Sequence, residues 1–136
     1  MATLFTKIAK GEIPSYKVAE NEDYYAFLDI SPLAPGHTLV IPKNVEDDYI
    51  FHLDETTYRG LWDFARMVAT ALKAAVPCKR IGVAVLGMEV PHTHIHLVPL
   101  QTEGDLDFRK QRPEISKEDM ERIAAAAAAE FEKLTR

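Results

Sequence analysis

Three histidines stand at alternate positions, His92, His94 and His96, in the run Pro91-His92-Thr93-His94-Ile95-His96-Leu97-Val98-Pro99. The residues between them are β-branched and those after them apolar, which suits an extended strand. Side chains on a strand alternate between its faces, so the three imidazoles form one row with neighbours about 7 Å apart. Thr93, Ile95 and Leu97 then turn to the opposite face, where apolar side chains pack. A lone histidine is usually structural, whereas a strand whose polar face is all imidazole points to chemistry. Two chemistries fit. A His-x-His pair can present two nitrogens to zinc. Alternatively, one neutral imidazole attacks phosphorus, its pKa near 6.5 leaving it largely neutral at cell pH, while a protonated neighbour donates to the developing charge or the leaving group.

The elements that must position this row are readable from punctuation and periodicity. Thr3 is placed to cap a short helix through Leu4, Phe5 and Ile8 that Gly11 ends. Strands are expected near 16–19 and 24–28, separated by the polar turn Glu20-Asn21-Glu22-Asp23. Two prolines and a glycine keep Ser31 to Gly36 irregular. His37 to Ile41 is β-rich and ends at Pro42. Tyr58, Leu61, Trp62, Ala65, Val68, Leu72 and Val76 recur at steps of three and four, predicting a helix from Asp54 to about Val76, which Pro77 stops. Arg80 to Leu86 reads as a buried strand and His92 to Leu100 as another, joined tightly through Gly87-Met88-Glu89-Val90-Pro91. The stretch 101–114 is polar and irregular. Ser116-Lys117-Glu118-Asp119 resembles a capping box opening a helix through the alanine run toward Leu134.

Composition narrows the function classes. The chain has 136 residues, suiting one domain over 1–136 with its core at about 4–100 and a helical extension at about 115–136, and 47% of them are hydrophobic, enough for a core without staples. The formal net charge is −5 with no dense Lys/Arg block, which weighs against a nucleic-acid surface but leaves room for a local basic patch binding one phosphate. The single cysteine, Cys78, cannot form an internal disulfide and reads as a small apolar residue after a helix. With no apolar run long enough for a signal peptide or a bilayer span, a cytoplasmic protein with no membrane partner is expected. The mixed order of strands and helices favours α+β with an antiparallel sheet.

The histidine row resembles the signature of the histidine triad (HIT) superfamily of nucleotide hydrolases and transferases. The segment from Phe27 to Lys43, which includes Asp29 and Pro35-Gly36-His37-Thr38, is similar to a second hallmark of that family, as is Leu4 to Pro14. The likeness runs in order from Leu4 to Pro99 and lies nearest the small histidine-triad nucleotide-binding proteins. It implies a HIT-like fold, with about five mostly antiparallel strands, one long helix packed on them and short N-terminal and C-terminal helices, usually as a homodimer. It implies that His94 is the nucleophile, forming a covalent nucleotidyl-histidine on a purine nucleotide. By the same likeness His96 contacts the phosphate and the leaving atom, His92 orients His94, and His37 extends the row from the adjacent strand. Leu4, Phe5, Ile8, Ile13 and Phe27 match the apolar walls around the base, Asp29 the carboxylate that takes the ribose hydroxyls, and Ile30 lies beside it. Each of these apolar residues would also serve simply as core, and Asp29 as a turn residue before Ser31-Pro32. No cofactor is implied.

The departures from the family pattern matter. The loop before the row is shortened to Gly87-Met88-Glu89, without the amide that contacts phosphate in many relatives, and Glu89, expected among the nucleotide-binding residues, is electrostatically awkward near the phosphate unless it points at a histidine or a partner subunit. Thr6 and Val45 stand where some branches carry zinc ligands, so no metal is expected. His52 reads as a surface residue. Two alternatives stay open: a metal-dependent hydrolase using the same histidines, and a non-catalytic nucleotide-binding regulator.

Overall fold

The computed structural model describes residues 3–135. Its elements run α1 (Leu4–Ala9), β1 (Lys17–Glu20), β2 (Tyr24–Leu28), β3 (Thr38–Pro42), α2 (Glu55–Ala75), β4 (Arg80–Ala84), β5 (Ile95–Leu100) and α3 (Lys117–Leu134), with 3-10 turns at Ile50–His52 and Glu103–Leu106. The five strands form one antiparallel sheet in the order β1-β2-β3-β5-β4.

The helices begin where side chains can satisfy their first amides. Thr3, Asp54 and Ser116 accept from the backbone N–H three residues on and open α1, α2 and α3. The α2 stripe buries Leu61, Phe64, Ala65, Val68, Ala71 and Leu72. With α3, which buries Met120, Ile123, Ala124, Ala127 and Phe131, it covers one face of the sheet over Ala26, Leu28, Val40, Ile95 and Leu97. At 18 residues α3 runs from the Ser116 cap to Leu134, the span the sequence implied, and is nearly as long as α2. The other face carries Tyr25, Phe27, Leu39 and Ile41; α1 packs there through Phe5 and Ile8, with Ile13 and Val90 beside it. That half-covered face is what leaves room for a site. Among the described residues no helix is long and apolar enough to cross a membrane.

Two strand expectations change. Arg80 to Leu86 is not buried: β4 is an edge strand ending at Ala84, and Val83 and Leu86 are exposed. The strand expected from His92 begins at Ile95. The β3–β5 register pairs Val40 with Ile95; continued, it would set Thr93 opposite Pro42, which has no N–H to give. The chain bonds elsewhere instead, the Thr93 amide and hydroxyl both donating to the Asp47 carbonyl at 2.8 and 2.7 Å.

Candidate active site

Alternation along β2 and β3 brings Phe27, Leu39 and, one step beyond the strand ends, Asp29 and His37 to the half-covered face. On β5 His96 pairs with Leu39 and so joins them. His94 and His96 lie with ring centroids 4.8 Å apart, and Phe5 on α1 meets the rings of His94 and His92 edge-on at 5.0 and 5.9 Å. The three histidines thus gather at one site, although two of them precede the strand. All are buried, as is His37.

Hydrogen-bond partners, most of them backbone, assign the proton on each ring. The Leu33 N–H donates to His37 Nδ1 at 2.9 Å, so in the neutral ring the proton sits on Nε2. His37 Nε2–H then donates to His96 Nδ1 at 3.0 Å, which puts the His96 proton on Nε2. His94 Nδ1 faces the His92 carbonyl at 2.8 Å, and a carbonyl only accepts, so His94 carries its proton on Nδ1 and a lone pair on Nε2. His92 Nε2 faces the Pro42 carbonyl at 2.8 Å, leaving its Nδ1 to accept from Thr3 Oγ1 at 2.7 Å. His94 is therefore oriented by the main chain of His92, while the His92 ring anchors Pro42 and α1.

The electrostatics keep this row neutral. Burial pushes His37 down to about 3, helped by the neighbouring His96 and Arg112. Burial likewise takes His96 down to about 4, with His94 and Arg112 opposing its charge. His92 and His94 are lowered mainly by burial; for His94 the His92 carbonyl, Asp29 and Glu89 act the other way. Burial raises Asp29, against the Ser31 amide and Arg112. One Asp29 oxygen accepts the Ser31 amide at 2.8 Å, the turn role, while its other oxygen lies 3.7 Å from His37 Nε2.

In front of the row opens a cavity of about 550 Å³, a size suited to a small ligand. Leu4, Phe5, Ile8, Ile13, Phe27, Asp29, Ile30 and Glu89 all line it with His94 and His96, while His37 and His92 stand behind. Leu4 and Ile30 are exposed. Glu89 follows Gly87, whose φ of +74° suits glycine and whose absent Cβ would meet the Asp48 carbonyl at 2.9 Å.

Phe108 and Arg112 are among the wall residues that escape a reading by motif. Phe108 meets the His96 ring edge-on at 4.8 Å, and Arg112 lies over Phe108 with its Cζ 5.8 Å from that ring's centre. Both come from the stretch read as polar and irregular. A single aromatic residue followed by Arg109, Lys110 and Arg112 was the available signal.

Two places bear on metal. Around Thr6, Thr3 Oγ1 bonds His92 Nδ1 and Thr6 Oγ1 donates to Glu46 at 2.5 Å, while Val45 is only half-buried. Threonine hydroxyls, one already bonded to a carboxylate and one to an imidazole, do not make the Cys/His set that structural zinc takes. Separately, Asp29, His37 and His96 each bring one ligand atom within 4.8 Å of the others. A cation there would displace the proton His37 shares with His96.

An antiparallel sheet with two long helices on one face and an imidazole row beside a short helix on the other defines a histidine-triad architecture. The HIT domain model matches residues 10–103, and the chain belongs to that family. The adenosine 5′-monophosphoramidase of Saccharomyces cerevisiae is 36% identical over 103 residues, 75% of this chain and 65% of that one. A hypothetical histidine triad nucleotide-binding protein from Sulfolobus tokodaii superimposes with a TM-score of 0.79 at 33% identity, covering 97% of this chain and 93% of that one. A zinc-bound histidine triad family protein from Mycobacterium smegmatis gives 0.81 at 26% identity, covering 99% and 96%.

Proposed function

We propose that this protein cleaves at the α-phosphate of a purine nucleotide bearing an amine or a second nucleotide as leaving group, through a covalent nucleotidyl group on His94. The observation that carries the reading is the His94 Nδ1 to His92 carbonyl hydrogen bond, which leaves the Nε2 lone pair as the free nitrogen of a ring on the cavity wall. Nε2 attacks phosphorus, the bond to the leaving group breaks, and a departing amine takes up a proton from water, since the neutral imidazoles have none to spare, whereas a departing nucleotide leaves as its phosphate anion. His96 Nε2–H donates to the phosphate or to the departing atom. Water then displaces His94, releasing the nucleoside monophosphate and a neutral imidazole. Phe5, Ile8, Ile13 and Phe27 hold the base, with Leu4 and Ile30 at the rim, and the free Asp29 oxygen takes the ribose hydroxyls. The monophosphoramidase activity of the yeast relative supports this leaving-group class.

The partner we propose is a second copy of this chain. Among the described residues the outer edge of β4 pairs with no strand and presents exposed Val83, with exposed Leu86 just beyond it, and a twofold pairing would cover them. Light scattering should report a dimer mass at micromolar concentration; a monomer mass would contradict it.

The Asp29, His37 and His96 cluster favours one second reading, a metal-dependent hydrolase. Hydrolysis of adenosine 5′-phosphoramidate separates the two. Turnover that survives a chelator and disappears in His94→Ala supports the covalent reading. Turnover lost to the chelator and restored by zinc supports the metal. No turnover on any nucleotide amide or dinucleotide would leave a binding protein.

A further inference from the structure

Resting on the nucleotide reading above, we propose that Arg112 is the cation that meets the substrate's phosphate and makes the site select a nucleotide over its nucleoside. The formal charges on the described cavity wall are Asp29, Glu89 and Arg112, two negative and one positive. A nucleoside monophosphate brings roughly 1.5 to 2 further negative charges at neutral pH. The imidazoles do not offset them, since burial holds the row neutral. Beside the neutral His96 N–H donor, an anion entering this cavity therefore meets one positive formal charge on the described wall, the guanidinium.

Arg112 is built for that contact. Its Nη1 donates to the Ser31 carbonyl and its Nη2 to the Phe108 carbonyl at 3.5 Å. A guanidinium has five N–H donors in a rigid fork, so others remain for phosphate oxygens. Phe108 fixes it from below and itself packs against His96, so the positive charge stands on the His96 side of the cavity. Arg112 already opposes protonation of His96 and His37 and favours the charged form of Asp29, which puts it within electrostatic reach of the row. The Gly87-Met88-Glu89 turn brings a carboxylate and no cation, and the segment between β5 and α3 supplies the charge from the other wall.

The test is calorimetric titration of AMP and of adenosine into the wild type, Arg112→Gln and Arg112→Lys. Removing a charge-assisted contact should weaken AMP on the order of 10- to 100-fold. Adenosine should change less than about twofold by the same reasoning, because the base and ribose contacts remain. Arg112→Lys should recover part of the AMP affinity, and the AMP affinity of Arg112→Gln should depend less on salt than that of the wild type. Adenosine binding serves as the control for folding. Equal losses for AMP and adenosine, or no loss for AMP, would overturn the assignment to Arg112 while leaving the nucleotide reading intact. A wild type that binds neither ligand would overturn both.

Discussion

His94 Nδ1 lies 2.8 Å from the carbonyl oxygen of His92, two residues back along the same chain. The proposed nucleophile is thus held in one tautomer by the backbone, and the ring of His92 is free to bind Pro42 and Thr3 instead. Two-bond nitrogen–proton NMR spectra at neutral pH should show His94 protonated on Nδ1 and His37, His92 and His96 protonated on Nε2. Finding His94 protonated on Nε2 would remove the lone pair from the nitrogen the mechanism uses.

The free oxygen of Asp29 makes a specific demand on the ribose. AMP should stabilise the protein against heat, and 2′-deoxy-AMP should bind more weakly by about 1.5–3 kcal/mol if the carboxylate holds that hydroxyl. Asp29→Asn should narrow the gap between the two ligands. Equal stabilisation of the wild type by both at matched concentrations would take the ribose away from Asp29.

The neutral histidines impose a pH dependence on stability. In the unfolded chain a histidine takes up its proton near pH 6.5, whereas folded His37 and His96 resist until about pH 3 and 4. The unfolded state therefore binds more protons through this window. Stability is complete above about pH 6.5 and is lost as the pH falls toward 4, by about 1.4 kcal/mol per pH unit for each group. Raised Asp29 offsets part of this, since its folded form takes a proton first. Urea unfolding between pH 7 and 5 should show the slope, and His37→Gln should flatten it. An unchanged slope in that variant would mean His37 is not the group resisting protonation.

The row His92, His94, His96 was legible because alternate spacing survives whatever the exact strand boundary. Asp29 and His37 were legible through their surrounding motif, and α2 through its apolar stripe. Phe108 and Arg112 were not, because no local period marks a segment that reaches the site by folding across it; Arg112 bonds Ser31, 81 positions earlier in the chain. The start of β5 was misplaced for a similar reason, since Pro42, which cannot donate across the ladder, belongs to another strand. The exposure of β4 follows from its place at the sheet edge, which its own apolar residues do not reveal.

The covalent step is tested most directly by mass spectrometry of protein quenched during turnover of adenosine 5′-phosphoramidate. Quenching must avoid acid, because a phosphoramidate bond to histidine is acid-labile. The expected result is an adenylyl group on the peptide containing His94, absent from His94→Ala, which should fold normally and lose nearly all turnover. His94→Ala protein that hydrolyses the substrate at close to the wild-type rate, with no adduct in either protein, would contradict the account and leave His96 or a metal-bound water as the attacking group.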